Sequence, residues 1–331
     1  MILTTSAVTR RLGRPSRPVL LLVASVLAFF GLGCARYGNL GRGAGDVLTD
    51  DARLLQPGDL AGPGPEEVVA MGLTAKGPWG RLPIALYRPA GQRKPGPAVV
   101  FLPGRVAPEW QYESYARALA SRGVTVAVRG WYSPFLSDRE LTDDAVHVAD
   151  WLVERGLADP SKMGAAGHSM GAKDAILAAV EDRRFRAVVA IDPDDNGSFS
   201  VVRGPLADLS APLLLIGAEL AWKASSVCAP RETNYERFFE RSPSGTVELT
   251  LAGADHVQVM DDAEGIGYGI CRSGTADAFT VRTAARRATV GFFVEHLLGR
   301  EVFRGAAGGA EARIRVKGAP ASAASAFPSS G

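Results

Sequence analysis

Short apolar runs alternate with stretches of helical spacing along the middle of the chain. Val68 to Leu73 and Leu82 to Tyr87 read as an opening pair of strands, joined by a Gly77-Pro78-Trp79-Gly80 turn. Pro97 to Leu102 (PAVVFL) is a continuous apolar run bounded by Pro and Gly, the pattern of a strand buried on both faces. Trp110 to Ala120 has helical spacing, and Val124 to Val128 is the next strand. Asp138 to Glu154 opens with acidic residues and carries Ala145, Val148 and Leu152 on one face, as an amphipathic helix does. Lys162 to Gly167 then predicts a strand and Met170 to Ala179 a helix. Arg186 to Ile191 (RAVVAI) and Pro212 to Ile216 (PLLLI) are further buried strands. Glu232 to Arg241 is helical, Thr246 to Leu251 is a strand with alternation, and Thr280 to Leu298 is the closing helix. Strands separated by helices predict an α/β fold with a mostly parallel central sheet covered on both faces.

The flanks differ from this middle. Arg10, Arg11, Arg14 and Arg17 precede an apolar stretch from Val19 to Phe30, then the small residues Gly31, Gly33, Cys34 and Ala35. That order predicts a signal peptide over 1–35; the apolar run is short of the ~20 residues that span a membrane. Two outcomes stay open at its end, lipid on Cys34, as in bacterial lipoproteins, or simple cleavage after Ala35. Residues 36–65, rich in Gly, Pro and charge, predict a flexible lead-in to a domain over 66–303. Gly, Ala and Ser dominate 304–331, which predicts a disordered tail. The expected location is exported: periplasmic, secreted or lipid-anchored at a bacterial envelope.

Composition changes this picture little. The 331 residues are 47% hydrophobic and 22% charged with a net charge of +2, ordinary for a globular domain. No basic run points to nucleic acid. Beyond Cys34 the cysteines are Cys228 and Cys271, candidates for a disulfide in an oxidising compartment.

The sharpest local signal is Gly167-His168-Ser169-Met170-Gly171, set between a predicted strand and an Ala-rich helix. In that context G-x-S-x-G predicts a strained elbow that presents Ser169 as a nucleophile, and an antiparallel opening before a parallel sheet suits the α/β-hydrolase fold. The helix that follows points its N-terminus at the oxyanion, with the Met170 amide as one donor. The second donor is expected from Pro103-Gly104-Arg105, at the Arg105 amide. The Arg105 side chain could be solvated or could shape the pocket mouth. A serine needs a base, and there are four histidines. His168 sits inside the elbow, pointing away from the nucleophile; His147 and His296 fall within predicted helices. His256 follows the last predicted strand, in the polar loop Gly253-Ala254-Asp255-His256, and is the predicted base. Asp192, at the end of RAVVAI, is the first choice of acid, with Asp194 and Glu219 as alternatives.

With these residues in place the chain resembles the chlorophyllases, and more distantly the dienelactone hydrolases and bacterial polyester hydrolases. The resemblance rests on GHSMGAKDA with Lys173, on Ile191-Asp192-Pro193, on Cys228-Ala229-Pro230, Asn234 and Phe238-Phe239. It continues through His256, Met260-Asp261-Asp262 and Cys271-Arg272-Ser273-Gly274, in fixed order from about Ala98 to Leu298. It implies a triad of Ser169, Asp192 and His256. Three positions depart from the family pattern: Pro103-Gly104-Arg105 where His-Gly and an aromatic are usual, Met170, and Ala172. The expected function is therefore a serine carboxylic-ester hydrolase acting on an ester with a bulky apolar part, needing no cofactor and no metal. The alternatives are a polyester hydrolase or acyltransferase with the same triad, or a non-catalytic surface lipoprotein that keeps the fold as a binding module. The expected partner is a small-molecule or polymeric ester; lipid on Cys34 would add membrane attachment, and oligomeric state is left open.

Overall fold

The strands among the described residues are β1 (Val68–Gly77), β2 (Gly80–Pro89), β3 (Gly96–Leu102), β4 (Thr125–Arg129), β5 (Ala158–His168), β6 (Phe185–Ile191), β7 (Leu213–Ala218), β8 (Val247–Leu251) and β9 (Ala312–Val316). The α-helices among them are α1 (Gly45–Ala52), α2 (Glu113–Ala120), α3 (Asp138–Glu154), α4 (Met170–Glu181), α5 (Tyr235–Arg241), α6 (Ala278–Leu298) and α7 (Phe303–Ala307). This is a computed structural model, and the structure describes residues 45–130, 136–197, 199–225, 228–265, 268–307 and 312–318. The signal segment expected at 1–35, with Cys34, lies outside the described residues.

These nine strands form one sheet in the order β1-β2-β4-β3-β5-β6-β7-β8-β9. β1, β2 and β4 pair antiparallel, β4 through β8 run parallel across the middle, and β9 closes the far edge antiparallel to β8. This is the expected α/β-hydrolase arrangement. Alternation along each strand sends side chains to two separate cores. Val99, Phe101, Val189 and Ile191 face α2 and α6 on one side. Ala98, Val100, Val188 and Ala190 face α3 and α4 on the other. Because both faces are covered, the central strands read as unbroken apolar runs.

Helix boundaries follow from caps. Ser137 and Glu140 form a capping box that starts α3, Asn234 caps α5, and Asp277 caps α6 by accepting from the Thr280 amide. The stretch expected as Trp110–Ala120 divides into a 3₁₀ turn at Glu109–Tyr112 and α2.

Two expectations are corrected. The flexible lead-in expected at 36–65 is folded from residue 45 onward. Asp51 of α1 pairs with Arg282 and Arg286 of α6, and Asp59 pairs with Arg287. Charge, which made this stretch look solvated, is what ties it down: Arg286 is fully buried and also donates to the Ala61 carbonyl. The disordered tail expected at 304–331 holds the end of α7 and strand β9, whose Val316 to Ala312 register against Val247 to Leu251. Five residues alternating Ala, Arg, Ile, Arg, Val carry a period-2 signal too short to stand out from Gly- and Ala-rich flanks. Residues 319–331 lie outside the described residues. Among those described, no helix is long and apolar enough to cross a membrane.

Candidate active site

The connections leaving the carboxyl ends of β3, β5, β6 and β8 meet over the middle of the sheet. β5 passes into α4 through Ser169, whose backbone is held at φ 58° and ψ −127°, a conformation non-glycine residues rarely adopt. The turn is possible because its neighbours lack side chains. A Cβ on Gly167 would stand 2.2 Å from the Gly171 carbonyl oxygen, and one on Gly171 would stand 2.3 Å from the Leu102 and Pro103 carbonyl oxygens. Elbow and β3 loop are thus in backbone contact, and no other residue fits at either position.

Ser169 Oγ lies 3.0 Å from His256 Nε2. His256 Nδ1 lies 2.6 Å from Asp192 Oδ2, and Asp192 Oδ1 accepts from the Ala218 amide at 2.9 Å. The carboxylate requires the hydrogen of His256 on Nδ1, which leaves Nε2 free to accept from Ser169. Asp192 is also held at a positive φ of 38°, and it is fully buried. Burial raises its pKa above the ordinary carboxylate value, while the hydrogen bond and charge of His256 and the Ala218 amide pull it down. A hydroxyl, an imidazole and a buried carboxylate in this chain can deprotonate an alcohol as it attacks an acyl carbon.

The sequence-predicted acids separate clearly. Asp194 accepts from Asn196 and Thr233 and does not reach His256. Glu219 accepts from the Gly253 amide at 2.8 Å and from Arg313 at 2.7 Å, so it supports the loop that carries His256 from outside. His147 and His296 sit on α3 and α6, apart from the site.

Met170 is the first residue of α4, so its amide belongs to the N–H groups that a helix leaves without an intrahelical partner. The β3 loop lies alongside, with the Gly104 amide donating to Tyr112 Oη at 3.1 Å. The Arg105 side chain is not left to solvent. Its Nε lies 2.9 Å from Met170 Sδ, one terminal nitrogen donates to the Leu136 carbonyl at 3.1 Å, and the other stands 3.8 Å from Asp138. Asp138 also pairs with the buried Lys173 at 2.9 Å. Lys173 in turn donates to the carbonyls of Asn196 and Phe199, fastening the connection that follows Asp192.

Some supporting residues were beyond sequence reading. Asp255 accepts four backbone N–H groups, from Val257, Gln258, Ser273 and Gly274, and so sets the turn at His256. Its only signal was adjacency to His256. Cys228 and Cys271 are bridged, with Cα atoms 5.4 Å apart. The bond joins the connections after β7 and β8, and a disulfide fits an extracellular or periplasmic setting.

A search among curated proteins finds no match for the chain. The model of the chlorophyllase family matches residues 81–312, the whole stretch from β2 to the start of β9 and well over half of the sequence, and the chain belongs to that family.

Proposed function

We propose that the protein is a serine carboxylic-ester hydrolase. Ser169 attacks the ester carbonyl while His256 takes its proton. Asp192 holds the imidazole in the tautomer that can accept, and stabilises it once protonated. The amides of Met170 and Arg105 stabilise the oxyanion. His256 then delivers its proton to the leaving alcohol, and water, activated by the same imidazole, releases the acyl group from Ser169. The observation that carries this reading is the unbroken contact from Ser169 through His256 to Asp192, at 3.0 and 2.6 Å.

The substrate proposed is an ester with a bulky apolar part. Three of the exposed large apolar side chains, Val106, Phe199 and Ile270, stand on the connections that leave the carboxyl ends of β3, β6 and β8. They offer apolar surface on the side where Ser169 opens. Export belongs to the same proposal, with the 1–35 segment as the signal and either lipid on Cys34 or cleavage after Ala35 at its end; mass spectrometry of the mature N-terminus decides between the two.

Hydrolysis of p-nitrophenyl esters by the mature domain, beside Ser169→Ala, tests the mechanism. The parent is expected to turn over acyl esters, with a loss of several orders of magnitude in the variant. Equal rates in the two proteins would refute the assignment of Ser169.

A further inference from the structure

Beside the nucleophile stands a histidine that the mechanism above does not use. His168 ends β5, is buried, and has a partner at each ring nitrogen. Tyr112 Oη lies 2.8 Å from Nδ1, and the backbone carbonyl oxygen of His256 lies 2.9 Å from Nε2. The directions of these bonds follow from their ends. A carbonyl oxygen can only accept, so Nε2 carries the hydrogen and donates to His256. At the other end the Gly104 N–H can only donate, at 3.1 Å, to Tyr112 Oη. The single phenolic hydrogen of Tyr112 is then directed to His168 Nδ1. A one-way chain of hydrogen bonds runs from Gly104 through Tyr112 and His168 to His256.

With Nε2 donating and Nδ1 accepting, His168 is the neutral imidazole. Burial, and then the neighbouring His256, holds the pKa of His168 well below the ordinary imidazole value. A proton added at Nδ1 would remove the acceptor for the Tyr112 hydroxyl. Packing supports the same geometry: the rings of His168 and His256 lie 4.6 Å apart, and Tyr112 lies 4.9 Å from Phe101 of β3.

The two ends of this chain are two separate parts of the proposed reaction. Gly104 belongs to the β3 loop, whose next amide is the oxyanion donor of Arg105. The His256 carbonyl belongs to the residue that acts as base. Neither part is covalently near Ser169, and neither is fixed by the triad contacts alone. We propose that His168 and Tyr112 are positioning residues that hold the oxyanion loop and the base at their working distances from Ser169. The inference rests on the Ser169–His256–Asp192 reading. It assigns both side chains a role in the reaction beyond filling space beneath the elbow.

The test measures kcat, KM and thermal unfolding with a soluble p-nitrophenyl ester. His168→Phe removes both bonds. His168→Asn keeps an amide near the place of Nδ1 and His168→Gln keeps one near Nε2, so each preserves one half of the chain. In His168→Phe, kcat is expected to fall on the order of 10- to 100-fold, because placement is lost rather than binding. KM should change by less than about threefold. The Asn and Gln variants should recover part of the loss. Adding Tyr112→Phe to His168→Phe should cost little more, since the two act as one unit. Parental kcat in a folded His168→Phe protein, a loss carried by KM, or fully additive losses would overturn the proposal. Should His168→Phe not fold, the same criteria apply to the Asn and Gln variants combined with Tyr112→Phe. Fluorophosphonate labelling of the parent and of Ser169→Ala separates the two levels. An unlabelled parent removes the underlying reading, whereas a labelled parent with insensitive His168 and Tyr112 variants removes the positioning role alone.

Discussion

Asp192 and Glu219 are both carboxylates at the carboxyl edge of the sheet, yet only one of them touches His256. Asp192 reaches it because an unusual backbone conformation at the end of β6 turns a short side chain across to the β8 loop. Glu219 instead clasps the Gly253 amide and Arg313. Asp192→Asn should therefore lower kcat by roughly 10⁴-fold, by favouring the wrong imidazole tautomer. Glu219→Gln should leave kcat within about threefold of the parent, as a supporting contact on an exposed flank does. Steady-state kinetics of the two variants decide between the carboxylates. Ser169 and His256, the proposed nucleophile and base, were legible as candidates because G-x-S-x-G between strand and helix, and a histidine in the loop after a late strand, are local signals. The Asp192 choice needed the resemblance as well, since no spacing along the chain distinguishes it from Asp194. Asp261 was legible only as a motif letter. It is buried against Ser114, which donates to it from backbone and side chain. Burial pushes its pKa up to about 7, although those bonds and the charges of Arg286 and Arg282 pull it down. In the unfolded chain it titrates near about 4. Between these values the folded protein holds a proton that the unfolded chain releases, so this group's contribution to stability is lost as pH rises from about 4 to about 7. Asp261→Asn should flatten that part of the curve, which denaturant titrations across the range would detect; an unchanged slope would count against the raised value.

At the scale of elements, the central strands and their helices were readable because both faces of the sheet are buried and the cores alternate along each strand. Boundaries were less so. β5 begins at Ala158, before the apolar run, and α5 begins at Tyr235, because Asn234 rather than apolar spacing sets its start. The connections over the candidate active site carry the least periodicity, and their order comes from single bonds. The Cys228–Cys271 bridge closes a stretch of 43 residues between the connections after β7 and β8. On chain entropy alone it should contribute about 4 kcal/mol. Replacing both cysteines with Ala should lower the thermal midpoint accordingly. Because Asp255 and Gln258 separately fix the turn at His256, kcat measured well below that midpoint should fall much less than stability does. A large loss of kcat with unchanged stability would mean that the bridge, not Asp255, places the base. Arg105 works on the opposite side of the site. Its guanidinium links the β3 loop to Met170 and Asp138, joining the two residues proposed to bind the oxyanion through their side chains as well as through their amides.

For the molecule as a whole, the segments least legible in the sequence are those that complete the domain. The α1 region and β9 were hidden by composition: glycine, alanine and charge look solvated until a partner far along the chain is known. Arg286 is fully buried and is held by Asp51, Ala61 and Ser114. Removing one partner of such a pair strands a buried charge, so Asp51→Ala should cost about 3–5 kcal/mol. Chemical denaturation measures that loss, and a cost below about 1 kcal/mol would show that the pair is no stronger than one on the surface. The same contacts bear on how the chain reaches its native state. Arg286 and Asp51 are 235 residues apart, and closing so long a loop is slow. Until it closes, the guanidinium has no apolar pocket it can enter without loss. The two segments therefore depend on each other: α6 can bury Arg286 against the sheet only where the α1 region supplies Asp51 and the Ala61 carbonyl, so loss of either segment's seating unseats the other.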